Sequence, residues 1–387
     1  MKLSSKKILD YYFGGFLIAI IRPFAALLYW LNPPSSNPVP PKKIGVIKMM
    51  GGGSMIIALP MLLGIKKRYP EVKLYFFTTK AVKSFGETLG IFDEIITFDD
   101  ENFVSLMGSS VDVVFELWKL DTIIDLEVFS RLTAIVTFVS FARNRVGFYL
   151  EHIFWRKKIF SHLIFFNRLG AVFNYYERIG HLFDAKPVER LETREHLMKF
   201  YGVSSIGPID IVNNDVMVLG HACSELARER ILSPQQWSDV LKNNIPAKVR
   251  KIIFLGISSE SKDAEKIILE LKKIFPNINF ENMCGETSLL ESIRIIITSK
   301  YYFGIDSALL HYARIFRDDV FSVFGPTSPY RMLKPENGLV DKVLYVQIPC
   351  SPCVHVSEQP PCNGKNICIQ ASVYGQNLSN STIPVIT

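Results

Sequence analysis

The stretch Tyr301-Tyr302-Phe303-Gly304-Ile305-Asp306-Ser307-Ala308-Leu309-Leu310-His311 decides the fold. Its first five residues are aromatic and apolar, the composition of a strand buried on both faces. Asp306-Ser307 makes a small polar turn, and a helix is expected from Ala308, with Asp306 as a candidate N-cap. A second strand, Val320 to Phe324, ends in Gly325-Pro326-Thr327. A strand that feeds a helix through such a turn presents unpaired backbone N–H groups above the sheet, where an anion would be held. Ligands of open α/β sheets collect at the carboxyl ends of strands, so two adjacent ends of this kind predict a phosphate or diphosphate site.

The same rhythm runs outward in both directions. Before it, strands are expected at Asp215 to Leu219, Lys251 to Leu255 and Ile278 to Glu281, with helices at Pro234 to Leu241, Asp263 to Ile274 and Ser288 to Ile297. An earlier set has strands at Ile44 to Lys48, Lys73 to Thr78, Glu94 to Phe98 and Thr122 to Leu126, with helices at Met55 to Arg68, Val82 to Leu89 and Val104 to Lys119. Alternation of this kind specifies mostly parallel, doubly wound sheets. At 387 residues the chain exceeds one ordinary core. The fold class is therefore α/β, with two Rossmann-like domains facing a central cleft. The expected division is 1–41 for a hydrophobic hairpin and Pro-rich linker, 42–205 and 206–349 for the two domains, and 350–387 for a cysteine-containing tail.

The formal net charge is +7, and nearly all of it sits at the start, where Lys2, Lys6, Lys7, Arg22, Lys42, Lys43 and Lys48 face Asp10 alone. A nucleic-acid-binding body would carry its positive face on the folded domains, so nucleic acid is excluded as a partner. The cations instead flank the apolar run Tyr11 to Leu31. Arg22-Pro23 in its middle is costly for a simple span, because a charge at mid-membrane is expensive and proline breaks a helix. Two short helices forming a hairpin in one leaflet of an anionic membrane surface are expected, with packing on the protein's own surface as the plainer reading. No cleavable signal is evident, and a reducing, cytosolic setting is expected.

Several motifs could carry chemistry. Gly51-Gly52-Gly53-Ser54 follows the first strand and could cradle a phosphate, or be a plain tight turn; it is neither a dinucleotide fingerprint nor a P-loop. Asp306 and Ser307 stand where a sugar or ribose hydroxyl could be gripped. His311 reads equally as a core histidine or a ligand contact. Arg230, ahead of the Ser233-Pro234 helix start, could reach a diphosphate or be a solvated surface arginine. The tail cysteines Cys350, Cys353, Cys362 and Cys368 run C-x2-C-x8-C-x5-C. Zinc, a disulfide pair and four structural thiols are the readings that spacing leaves open.

IGVIKMMGGGSMIIALP at 44–60, DTIIDLEVFSR at 121–131 and RVGF at 145–148 resemble glycosyltransferase family 9, the lipopolysaccharide heptosyltransferase family. VLGHACSELARERILSPQQW at 218–237, GETSLLE at 285–291, FGIDSALLHYA, FGPTSP and the tail CSPC extend the resemblance over roughly Lys43 to Ile369. It implies a GT-B fold with an N-terminal acceptor domain and a C-terminal nucleotide-sugar domain, and inverting transfer without a required metal cofactor. The partners it implies are a nucleotide-sugar donor and a lipid-linked glycan acceptor of lipopolysaccharide type, met at the cytoplasmic face of the inner membrane. The donor site would map onto Asp306, Ser307, Ala308 and His311 with the turn that carries Glu286 and Thr287, and Arg230 would stand where the family has a lysine.

The resemblance breaks at one place. The family has Gly-Asp where this chain has Gly53-Ser54, and that aspartate would be the general base. Inverting transfer needs a base for the acceptor hydroxyl, and a serine cannot serve unaided at neutral pH. Asp125 and Glu127, at a strand end of the same domain, are the candidate substitutes. The alternative is a catalytically silent GT-B protein that only binds a sugar nucleotide.

Overall fold

The computed structural model describes residues 3–31, 33–203, 213–223, 225–354, 356–357 and 360–375. The chain forms two compact units, Met1–Glu189 and Arg190–Thr387. The domain boundary expected at 205/206 lies outside the described residues, as does the end of the tail from 376.

The first unit opens with α1 (Leu3–Leu9), a π-helical turn at Asp10–Gly14 and α2 (Gly15–Leu31). The expected hairpin is thus corrected to one helical run. Pro23 lies inside α2, where it deletes one helical hydrogen bond without ending the helix. Tertiary contacts support the run: Ile18 and Ala25 pack with Ala134, Phe138, Ile159 and Phe160. Ser5–Leu31 is long and apolar enough to cross a membrane by length and composition.

The sheet of this unit is built from β1 (Lys43–Ile47), α3 (Gly53–Arg68), β2 (Lys73–Thr79), α4 (Lys80–Leu89), β3 (Glu94–Phe98), α5 (Phe103–Leu117), β4 (Thr122–Asp125), α6 (Arg131–Val139), β5 (Asn144–Tyr149) and β6 (His162–Phe165), followed by α7 (Val172–Leu182). Strand order is β3-β2-β1-β4-β5-β6, all parallel. The apolar runs of β1 and β4 are covered on both faces, as a parallel sheet requires. Ile47, Phe77, Phe98 and Ile123 meet Val113 and Leu117 of α5 on one side.

The second unit repeats the plan. It contains α8 (Arg190–Phe200), β7 (Asn213–Gly220), α9 (Pro234–Asn244), β8 (Lys251–Phe254), α10 (Ser261–Ile274), β9 (Asn279–Asn282), α11 (Leu289–Thr298), β10 (Ser299–Ile305), α12 (Ala308–Phe316), β11 (Asp319–Val323), α13 (Pro329–Met332), β12 (Val340–Leu344) and α14 (Ile367–Tyr374). The order β12-β11-β10-β7-β8-β9 is the first sheet's order over again, with β7 in the place of β1 and β10 in the place of β4. Arg190 ties α8 to this unit by donating to the carbonyls of Arg314 and Arg317 and to Asp318. Each sheet reverses direction of strand addition once, between β1 and β4 and between β7 and β10, and ligands gather at such switch points. The two units are therefore matching Rossmann-type folds of the GT-B class.

Candidate functional site

At the switch point of the second unit, β10 delivers Asp306 just beyond its carboxyl end. Asp306 is buried, and Arg230 Nη1 donates to its carbonyl at 2.7 Å and to its carboxylate at 3.2 Å. Burial would lower the Arg230 pKa, but the Asp306 carboxylate outweighs it and holds the guanidinium charge more firmly than usual. Arg230 Nε is bound to the Ala227 carbonyl at 3.1 Å, which leaves Nη2 outside these bonds. His311, one turn into α12, comes to 3.8 Å from Asp306. Burial pushes its pKa down to about 4, so it is neutral at pH 7.

Asp306 does not cap α12. The N-cap position is Ser307, whose side chain makes no capping bond, and its buried Oγ has no hydrogen-bond partner of good geometry. The first-turn N–H groups of α12 therefore lack a side-chain cap, and Ala308 begins the helix with no side chain long enough to cover them. Tyr302 Oη, near Ser307, is likewise buried and without such a partner. It occupies space made by the paired glycines Gly220 and Gly304: a Cβ would stand 2.3 Å from it at Gly220 and 2.7 Å at Gly304. Thr327, beyond β11, adds a further buried hydroxyl without a partner.

His221 follows β7 directly and was not singled out from the sequence. Its ring is buried at 5.5 Å from the Phe254 ring, neither nitrogen makes a hydrogen bond of good geometry, and burial lowers its pKa to about 4. The turn Gly285 (φ +83°), Glu286, Thr287 and Ser288 lies two strands away, after β9. Gly285 donates to the Gly256 carbonyl at 2.9 Å, Thr287 pairs with Ser292 at 2.8 Å, and Ser288 caps α11 in a reciprocal capping box with Glu291. Glu286 is exposed.

The first unit's switch point is filled differently. Lys48 follows β1 and pairs with Glu127 Oε1 at 3.2 Å. The same oxygen accepts the N–H groups of Met49 and Met50 at 2.8 and 3.0 Å, so Glu127 holds the entrance of the glycine loop. Gly51 takes a left-handed φ of 75°, and a Cβ on Gly52 would strike the Phe85 ring at 2.1 Å. Gly52 is thus required by packing against α4, and Gly53 begins α3. Ser54 hydrogen-bonds Tyr176, whose phenol burial keeps protonated. Burial favours neutral Lys48, yet Glu127, Tyr176 and Asp125 outweigh it and the ammonium is retained.

Asp125 has no exposed surface. It forms a buried ion pair with Arg156, accepts Thr133 Oγ1 at 3.0 Å and accepts the Glu127 N–H at 2.9 Å. Burial raises its pKa to about 6 despite Arg156. Asp125 thereby holds the Glu127 backbone, while Glu127, 7% exposed, keeps Oε2 out of all the bonds named above. Lys48 entered the sequence reading only as an N-terminal cation at a strand end, and Arg156 and Tyr176 went unremarked. A usable signal exists for Lys48 and His221, since each is the first residue beyond its strand.

All six cysteines are free thiols. Burial raises Cys353 and pushes Cys368 up to about 12, and Cys350 and Cys368 pack on the second unit's core. Among the described residues no group of three or more His, Cys, Asp or Glu is arranged to hold a metal ion. Cys353 lies within electrostatic reach of Cys350 and Cys362, and Cys368 within reach of all three.

Residues 191–362, a little under half of the chain, match the family model of glycosyltransferase family 9 (heptosyltransferase). Solved structures with a similar fold include an E. coli ADP-heptose lps heptosyltransferase II, at 15% identity and a TM-score of 0.59, covering 86% of this chain and 99% of that one. The E. coli heptosyltransferase WaaC with ADP gives 15% identity and 0.59, covering 83% and 97%. A family 9 glycosyl transferase from Veillonella parvula gives 14% and 0.58, covering 78% and 85%. No curated protein sequence matches the chain.

Proposed function

We propose that this chain, whose second unit carries a glycosyltransferase family 9 domain over residues 191–362, moves a sugar from a nucleotide-diphosphate donor to a lipid-linked glycan, with inversion and at the cytoplasmic face of a membrane. The observation that carries the donor half is the uncapped N-terminus of α12 beside the buried Thr327 hydroxyl, which has no partner, and the Ser307 and Tyr302 hydroxyls, which have at most each other. Groups buried without partners cost free energy unless something else bonds them, and a sugar nucleotide supplies both hydroxyls and phosphate oxygens. The α12 N-terminus and Arg230 Nη2 stabilise the negative charge that gathers on the leaving diphosphate. Arg230 fixes Asp306, and Asp306 accepts from a donor hydroxyl.

On the acceptor side Glu127 is the base. The acceptor oxygen bonds to the anomeric carbon as the bond from that carbon to the diphosphate oxygen breaks, and the acceptor proton passes to Glu127 Oε2. Lys48 and Tyr176 hold their own protons and orient the carboxylate. The competing reading, a silent binder, is favoured by Ser54, which hydrogen-bonds Tyr176 and offers no carboxylate; release of free nucleotide with a glycosylated lipid decides against it.

Asp306→Asn tests the donor half. Titration calorimetry with a panel of nucleotide sugars is expected to show affinity weakened by about 30-fold or more. Affinity equal to that of the unaltered chain would sink the assignment.

A further inference from the structure

Helix α5 has two apolar faces, only one of which the fold uses. Val113 and Leu117 are buried in the sheet's core. Val104, Met107, Val111, Phe115 and, just past the helix end, Trp118 recur every three to four residues on the other side with Phe103 beside Val104, and all are exposed, Val104 by 78%. Of the acids of α5, Glu116 is paired with Lys119 at 2.6 Å and exposed Asp112 flanks the stripe at its edge. One exposed apolar residue needs no explanation, but a stripe along four turns does.

The stripe joins the N-terminal helix rather than standing alone. The Phe13 ring meets Phe103 at 5.5 Å, and Lys6 pairs with Asp100 just ahead of α5. The helix itself bares Phe16, Ile20, Phe24, Leu27, Leu28 and Trp30. Exposed cations border the apolar area: Lys7 and Arg22 on the helix, Arg143 beside exposed Phe141, and Lys157 and Lys158 next to Ile159, which α2 covers. Asp99, Asp100 and Glu101 stand at the head of α5, where Lys6 and Lys80 pair with them, and the remaining exposed cations fit the interface of an anionic bilayer.

We infer that α5 is a second membrane-contacting element, its stripe seated in the same anionic lipid bilayer as the N-terminal helix. This goes beyond the anchoring role of that helix, and the two are separable by experiment. The full chain carries p-benzoylphenylalanine in place of Phe115, of Phe24 or, as a control in the second unit, of exposed Leu269. Each version is irradiated on phosphatidylcholine vesicles containing phosphatidylglycerol. Lipid adducts are expected at 115 and 24 and not at 269. Adducts at 24 alone overturn the inference and leave the anchor standing, whereas adducts at 115 alone support it and remove the anchor. Chain-to-chain adducts at 115 mean that a second copy covers the stripe, which also overturns it. In parallel, Val104→Gln, Met107→Gln, Val111→Gln and Phe115→Gln are combined in one chain whose circular dichroism and nucleotide-sugar binding are checked for an intact fold. Its partition onto the vesicles is expected to fall about tenfold; unchanged partition overturns the inference.

Discussion

The two sheets have the same strand order and spend their switch points in opposite ways. Between β1 and β4 the charges are paired, Lys48 with Glu127 and Asp125 with Arg156 and Thr133, and of these groups Arg156 Nε alone is a buried atom without a partner of good geometry. Between β7 and β10 several buried polar atoms have none of good geometry, among them both nitrogens of His221 and the hydroxyls of Tyr302 and Ser307. A satisfied network fixes a shape, and an unsatisfied one waits for a ligand. The proposed function rests on that difference, with a rigid loop in the first unit and ligand capture in the second.

The contrast is tested most severely at Glu127. Glu127→Gln keeps an amide oxygen for the Met49 and Met50 N–H groups but cannot take a proton, so turnover should fall about 100- to 10,000-fold, with donor affinity unchanged by calorimetry. Equal losses of affinity and turnover would show that the two switch points do not divide the work.

Next in size is the ion pair beneath it. Arg156→Met leaves Asp125 buried without its cation and should cost about 3–5 kcal/mol, read as an early first-unit transition in urea. If Asp125→Leu in the same chain restores the midpoint, the pair is structural; if turnover is then also restored, Asp125 is excluded from the chemistry.

The smallest effect has opposite sign at two sets of buried groups, the second unit's His221 and His311 and the first unit's Asp125. His221 and His311 have folded pKa values lowered to about 4, below the 6.5 of an ordinary histidine. The unfolded chain binds those protons first, so second-unit stability is present above about pH 6.5 and is lost as pH falls toward 4. At pH 5 each histidine should cost roughly 2 kcal/mol. Asp125 runs the other way: its folded pKa of about 6 lies above the ordinary 3.8, so its own contribution favours the first unit as pH falls through that window, against His162, whose pKa burial lowers. Hydrogen exchange at pH 7 and pH 5 should show protection falling in β7 and β10 while β4 holds. A uniform fall would break the comparison.

The sequence made the interior strands legible because parallel strands buried on both faces are apolar runs with clear ends. β5, β6 and β12 were not, for reasons in their residues. β5 opens on Asn144 and Arg145, whose side chains bond Thr122 and backbone carbonyls inside the unit, which interrupts the apolar signal. β6 and β12 are sheet edges, where charged or short strands are favoured and the pattern is weak. The π turn and α2 defeated the proline rule because packing against α6 compensates for one lost bond. At the site, Asp306, Arg230 and Glu127 stood out as charges at strand or helix ends. Arg156 and Tyr176 could not, since they reach the cluster from distant segments and only the fold brings them there.

Asp10 accepts Ser130 Oγ at 2.7 Å and the N–H groups of Arg131 and Leu132 at the start of α6. Two residues further along that helix, Thr133 holds Asp125, and Asp125 holds the backbone of Glu127. The N-terminal helix is therefore a mount and not a tether: a flexible leash would let the first unit swing at any height, whereas this one sets the Glu127 carboxylate at a fixed distance and tilt from whatever surface receives the helix.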